Sequence, residues 1–281
     1  LGNSTRARGQ SHHSAALRCE PVAAAKHNKE REIRWGLPDV FIGLVISWVA
    51  AVVVFVAVVA AVGLDTGGET GTGSYVGRYG LGDALELERS DPALPLWTLP
   101  VGQIGLWAGL GLTAVVAAAT RGNGLRRDFG WSMRLSDIPV GLAFGVLAQI
   151  VVVWLIYAPF QQFFDFDVSE AARQITDRAA SPGDIALVML GVVVGAPIFE
   201  ELFFRGLTLR AFERKWGATV GVLASSVVFA AVHFQLLQFP ALVAFGIIAA
   251  LLVRRYKRLG PAIWAHVGFN LVAVINLIWL A

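Results

Sequence analysis

Hydrophobic residues along this chain are concentrated in blocks long enough to cross lipid. Seven stand out, at 39–64, 99–119, 138–160, 184–208, 217–234, 240–253 and 261–280. The first, VFIGLVISWVAAVVVFVAVVAAVGL, runs past twenty residues without a charge, and about 20 apolar residues in a helix match a hydrocarbon core about 30 Å thick. The pattern predicts an all-α fold, a polytopic membrane helix bundle with about seven transmembrane helices. The sixth block has only fourteen residues and would rise about 21 Å as a helix. It is therefore expected to tilt, to extend past Arg254 or to be re-entrant.

Charge in the connections tests that count independently. Residues 1–34 carry Arg6, Arg8, Arg18, Lys26, Lys29, Arg31 and Arg34, whereas 65–98 holds six acids against Arg78 and Arg89. The stretch 120–137 is basic again through Arg121, Arg126, Arg127 and Arg134, and 161–183 is acidic. Arg210, Arg214 and Lys215 follow the fourth block, and Arg254, Arg255, Lys257 and Arg258 link the sixth to the seventh. Basic connections alternate with acidic or neutral ones, as seven spans with a cytoplasmic N-terminus and an external C-terminus require. The whole chain, 281 residues, is 56% hydrophobic and 15% charged, where soluble domains average about 45–50% and about 25%. The expected location is the cytoplasmic membrane, with the lipid bilayer as the surrounding partner.

Outside the blocks little chemistry is expected. The basic tail 1–34 lacks a sustained apolar period and reads as a solvated juxtamembrane segment rather than a nucleic-acid surface. His12 and His13 have no ligand spacing, and the single cysteine, Cys19, permits neither an intrachain disulfide nor a thiolate metal cluster. The stretch TGGETGTGSYVGRYG is glycine-rich but lacks the Lys-Ser/Thr of a phosphate-binding loop, so a flexible external loop is expected there. VSEAARQITDRA, at 168–179, spaces Val168, Ala171, Ala172 and Ile175 as on a short interfacial helix. The first block is too long for a signal peptide and is read as a retained helix.

Against this background the polar residues inside the later blocks stand out, because ionisable groups at membrane depth are costly and tend to mark chemistry. Glu200 and Glu201 are adjacent, with Arg205 four residues after Glu201 and so on the same helix face. Glu200 would point about 100° away, which lets one carboxylate be ordered by the arginine while the other meets substrate or water. Pro197 can bend the helix just before the pair and free a backbone carbonyl. His233 lies one turn beyond Phe229, and His266 and Asn270 share a face of the last block. Singly these features fit a structural ion pair, a packed histidine and a helix–helix hydrogen bond; together they supply a base, an orienting cation, two imidazoles and an amide.

These three segments, Glu200-Glu201-x-x-x-Arg205, Phe229-x-x-x-His233 and His266-x-x-x-Asn270, resemble the signature of the CAAX protease and bacteriocin-processing family of intramembrane endopeptidases, also called the Abi family. The resemblance covers about 184–280 and implies hydrolysis of a peptide bond in a membrane-anchored protein or peptide substrate. It divides the chain into the tail 1–34, three transmembrane helices with their loops over 35–183, and a catalytic core of four hydrophobic helices over 184–281. In the mechanism expected from it, Glu200 is the general base, Glu201 with Arg205 holds the geometry, His233 orients the water, and His266 and Asn270 stabilise the oxyanion. Two imidazoles with Glu200 also form an accepted zinc set, so Glu200, His233 and His266 are the candidate ligands if a metal is used. A non-catalytic scaffold of the same architecture and a transporter are the competing function classes. Small residues in GQIGLWAGLGLTAVVAAA suit helix packing within one chain or between chains, leaving the oligomeric state open.

One geometric difficulty is expected. In straight helices His233 lies about 24 Å from Gly217, whereas His266 lies only about 8 Å beyond the start of its block. The two meet only if the last helix is tilted or starts at a raised level.

Overall fold

The computed structural model describes residues 2, 31–62, 98–161, 163 and 181–280. Most of the basic tail, the glycine-rich stretch and 168–179 lie outside the described residues. The chain divides into two compact units, Leu1–Arg31 and Glu32–Ala281, and the helices among the described residues all lie in the second.

The described residues of that unit are all-α, in seven long helices. Helix α1 spans Leu37–Val62 and α2 Thr98–Arg121. After a single turn at Leu125–Asp128 comes α3, Asp137–Gln161, with a wider π-helical turn at Ala148–Val152. The continuous apolar stretch Pro182–Ala231 is broken at Gly217 (φ 82°, ψ 175°), a left-handed conformation that only glycine adopts without strain. Residues 182–216 form α4 and 218–231 form α5. The chain folds back there, since a Cβ on Gly221 would meet the backbone of Glu213. Helix α6 is Phe239–Tyr256, ending on left-handed Lys257, whose N–H donates to the Val253 carbonyl. Helix α7 covers 260–280. The sixth span thus takes one of its expected forms and extends past Arg254.

Length and composition qualify six helical stretches for crossing a membrane, the broken 182–231 stretch counting as one. The protein is an integral membrane helix bundle. Its outer faces bear it out: Phe41, Val45, Val49, Val52 and Val53 of α1, and Leu147, Ile150, Trp154 and Leu155 of α3, are exposed apolar residues that have their solvent in lipid.

Two features of packing position the site. Glycines let backbones approach: a Cβ on Gly145 of α3 would run into the Ala265 carbonyl of α7, and one on Gly105 or Gly109 of α2 would collide with α1 at Ala50 or Ser47. Polar clamps then gather at the basic end of the bundle. Arg258 forms a fork on the Asp137 carboxylate at the start of α3, and that carboxylate raises the guanidinium further above its ordinary range. Arg121 pairs with Asp39, and Arg214 donates to the carbonyls of Trp35 and Ile33.

The same end resolves the depth difficulty. Helix α4 continues well past Glu200 before the break at Gly217, so α5 returns over a similar length and brings His233 back level with Glu200. Helix α7 starts at a raised level. Its Gly260 N–H donates to the Ser132 carbonyl and the Leu259 N–H to that of Gly130.

Candidate active site

Helix α4 begins on a capping box in which Ser181 and Asp184 satisfy each other's backbone N–H groups, with Pro182 in the first turn. It is not a uniform α-helix. Wider π-helical turns occupy Met189–Gly195 and Glu201–Thr208, a deviation that tends to gather at functional sites. Glu200 ends an α-helical turn and Glu201 begins the wider one, and both glutamates face the same imidazole.

The centre of the site is Glu201. Its Oε1 accepts from Arg205 Nη1 at 2.9 Å and from His266 Nδ1 at 2.9 Å. Glu201 and Arg205 are sealed from the surface, with side chains 0% and 1% exposed. Such a pair is costly to bury unless further contacts compensate. Here Arg205 Nη2 also approaches the Gly246 carbonyl at 3.5 Å, and its guanidinium lies 4.2 Å from the Phe229 ring centre and 5.7 Å from that of Phe245, a cation held between two π faces.

Glu200 is placed differently. Its Oε2 is buried, has no hydrogen-bond partner among the described residues, and faces His233 Nε2 at 3.9 Å and His266 Nε2 at 4.0 Å. The two carboxylates therefore bracket His266, one on each ring nitrogen. Tautomers follow from the other contacts. His233 Nδ1 lies 2.7 Å from the Phe229 carbonyl, which only accepts, so Nδ1 carries the proton. His266 Nδ1 donates to the arginine-paired Glu201. In the neutral form of each ring Nε2 is then the acceptor, and these two atoms and the Glu200 carboxylate converge on one small space.

Water fits that space. A water donating two hydrogen bonds of about 2.8 Å at its own angle of about 105° spans about 4.4 Å, close to the 3.9 and 4.0 Å observed. Tetrahedral zinc, with ligand bonds of about 2.0–2.1 Å, would set neighbouring donors about 3.3 Å apart, closer than the 3.9 and 4.0 Å between Glu200 and the two imidazoles here. No group of three or more His, Cys, Asp or Glu among the described residues has the arrangement of a metal site.

Asn270 is used in a way its spacing did not announce. Its Nδ2 donates to the Val192 carbonyl at 2.8 Å, within the first π-helical turn of α4, where widened bonding leaves carbonyls open to other donors. One N–H of the amide is thereby fixed, and the group carries a second.

Phe229, His233 and His266 are joined by ring contacts. The Phe229 centroid lies 4.7 Å from His233 and 5.8 Å from His266, and Phe245 packs at 4.9 Å from His266. Phe245, Gly246 and Val192 escaped the sequence reading. An aromatic, a glycine and a valine inside apolar spans carry no local mark of what they touch.

With this geometry in place, comparison with known proteins is informative. Residues 182–272 match the family model of type II CAAX prenyl endopeptidase Rce1-like proteins, a stretch that holds every residue of the cluster. The chain is 29% identical over 156 residues to the UPF0177 protein YbdI of Lactococcus lactis subsp. lactis (strain IL1403), covering 54% of this chain and 83% of that protein. It is 35% identical over 89 residues to the "Putative membrane peptidase YdiL" of Bacillus subtilis (strain 168), covering 32% of this chain and 36% of that protein. No solved structure gives a significant match. The C-terminal part of the chain is thus homologous to CAAX-endopeptidase-like and membrane-peptidase proteins.

Proposed function

We propose that this chain is an intramembrane endopeptidase of the CAAX protease and bacteriocin-processing type, hydrolysing a peptide bond of a membrane-associated substrate with 184–281 as its catalytic core. The observation that carries the reading is the buried, unpaired Oε2 of Glu200 facing the Nε2 atoms of two imidazoles at water-spanning distance. Glu201 also has one buried oxygen without a partner among the described residues, but its Oε1 is held by Arg205 and His266, whereas Glu200 Oε2 faces only the two imidazoles there. A purely structural carboxylate would be paired, because an unpaired buried charge is expensive.

Water between Glu200, His233 and His266 donates one hydrogen to the carboxylate and can donate the other to an Nε2. As its oxygen attacks the scissile carbonyl carbon, Glu200 takes the first proton and the carbonyl oxygen becomes the tetrahedral oxyanion. The second N–H of Asn270, aimed by the Val192 bond, is the proposed donor to that oxyanion. Collapse of the intermediate breaks the C–N bond while Glu200 returns its proton to the leaving amine, so the residues end as they began. Glu201 and Arg205 are positioning residues: through Oε1 they fix the ring and tautomer of His266. The apolar wall of Phe229 and Phe245 limits competing bulk water.

The basic end, with Arg210, Arg214, Lys215 and Arg254–Arg258, is assigned to the cytoplasm by the positive-inside rule. That places the N-terminus in the cytoplasm and the C-terminus outside, in a cytoplasmic membrane.

The test is cleavage of membrane-anchored peptides by detergent-purified wild type and Glu200→Gln, with metal content measured on the same wild-type sample. Cleavage by wild type, reduced about 10²–10⁴-fold in the variant, is expected. Equal cleavage by both would remove Glu200 from the chemistry, and no cleavage by folded wild type across a broad library would favour a scaffold.

A further inference from the structure

The cluster is not equally closed on all sides. Arg205, Glu201 and His266 are at most 5% exposed and Glu200 is 12% exposed, whereas the His233 side chain is 26% exposed. Access to the site therefore runs past His233, and what flanks that residue decides what can enter.

His233 lies in the connection from α5 to α6. The N–H groups of Val232, His233 and Phe234 bond back to the carbonyls of Val228, Ala230 and Ala231. The next residue, Phe234, has φ 53°, the left-handed region that is strained for a bulky side chain. Phe234 is 77% exposed and Leu236 87%. From Trp216 to Val253 the sequence contains no Asp, Glu, Lys or Arg, so this exposed surface is uncharged, with Phe234, Leu236 and Leu237 its exposed large side chains.

Its depth identifies the surroundings. Helix α5 over 218–231 rises about 21 Å, less than the hydrocarbon thickness of about 30 Å. Its first turns pack against Glu213, in a segment with Arg210, Arg214 and Lys215 that belongs at the headgroups. The loop therefore sits within the hydrocarbon region, and its exposed residues face lipid. Irregular backbone survives at such depth when its polar groups are met by protein. Tyr157 of α3 does this by donating to the Leu237 carbonyl, which also pins the far end of the loop.

Among the described residues the near end has a ring partner. Trp48 of α1, itself partly exposed, meets Phe234 edge to face with centroids 5.3 Å apart. Helix α1 packs along its length on α2 and reaches the catalytic helices at a few places, Gly43 against Phe203 and Trp48 against Phe234. We propose that Phe234 and Trp48 form a lateral gate beside His233, through which an apolar, membrane-embedded segment of the substrate reaches Glu200 from the lipid. With the loop pinned at Leu237, the moving part is Phe234. Returning its backbone to negative φ relieves the strain and swings the ring off Trp48. An apolar segment fits because the route is lipid-facing and uncharged, while a soluble peptide would have to cross lipid to use it.

This inference rests on the peptidase reading for its substrate, and the test separates the two. In a Glu200→Gln background, with p-benzoylphenylalanine replacing Phe234 or, as control, lipid-facing Leu112, reconstituted protein is irradiated with a radiolabelled membrane-spanning peptide. The expected result is a peptide adduct from position 234 that excess unlabelled peptide abolishes, with no saturable adduct from position 112. Adducts with lipid alone at 234, or equal adducts at both positions, overturn the gate whether or not the wild type cleaves anything. The second arm uses Trp48→Cys with Phe234→Cys in a Cys19→Ser background, joined by a short reducible thiol cross-linker. Cleavage of the membrane-anchored peptide should fall at least tenfold on tethering and return on reduction, with the single-cysteine variants unaffected by the reagent. Undiminished cleavage by the tethered protein overturns the gate and leaves the peptidase reading intact.

Discussion

Helices α1 and α6 are both apolar spans, yet 17% of the most apolar stretch of α1 is buried within the protein against 44% of that of α6. Helix α1 turns valine and isoleucine outward to lipid and approaches α2 through glycines. Helix α6 turns Ala241, Phe245, Gly246, Ala249 and Val253 inward, where Phe245 and the Gly246 carbonyl complete the surroundings of Arg205 and His266. Lipid is as apolar as leucine, so no hydrophobic force draws helices together in the bilayer; small residues and polar contacts decide which surfaces become interior. The comparison teaches that hydrophobicity separates membrane from water here, while burial of Glu201–Arg205–His266 separates core from periphery.

Substitutions sharpen that contrast, and the largest effect belongs to the core. Arg205→Ala leaves Glu201 as an uncompensated buried charge and should cost about 3–5 kcal/mol, seen as a lowered unfolding midpoint in detergent. Adding Glu201→Ala should recover much of the loss of stability but none of the cleavage, a coupling that a double-mutant cycle measures. A fully additive pair would mean the buried bridge does not organise the core.

Asn270→Ala comes next. Removing an oxyanion donor costs about 10²–10³ in kcat, whereas losing only the tie to Val192 would cost about 1 kcal/mol of stability and little turnover. The expected outcome is the kcat loss with KM little changed. A variant that melts earlier but turns over normally would confine Asn270 to holding α7 on α4.

Gly145→Val tests the interface between the two halves. The added side chain runs into the Ala265 carbonyl, so α3 must move from α7, and overpacking of this kind costs about 1–3 kcal/mol. Because α7 carries His266, cleavage should drop with stability. At the small end, Val53→Ala on the lipid face, where Val53 is 59% exposed, should change stability by less than about 0.5 kcal/mol. A larger loss would show that this face of α1 is covered by protein, as in a second copy of the chain.

Much of the fold was legible because the bilayer acts on each segment alone. Hydrocarbon thickness fixes helix length, and the seven apolar blocks coincide with the seven helices apart from end shifts, the largest of which carries α4 to residue 216. The break at Gly217 was legible as a change of block, although the conformation that makes it, φ 82°, was not. The site was partly legible. Glu201 and Arg205 announced their pairing through spacing, since neighbours on a helix face meet whatever surrounds them. Glu200 and Glu201 together on His266 depended on where α7 sets that ring between them, and nothing in the segment around the pair marks it.

By itself the sequence determined an all-helical membrane protein, the order of its spans, and the residues whose charge or hydrogen-bonding capacity is too costly at membrane depth to be incidental. Those are local properties, set by segment composition against a medium of fixed thickness. Tertiary structure decided the relative depth of His233 and His266, the tautomers of both rings, the turning of Asn270 to Val192, the aromatic cage around Arg205, and the placing of Phe234 on Trp48. Each depends on where a helix starts and how it is rotated. Contacts distant in sequence fix those, among them Arg258 on Asp137, Gly260 on Ser132 and Gly145 against Ala265, and no window of sequence contains both members of such a pair.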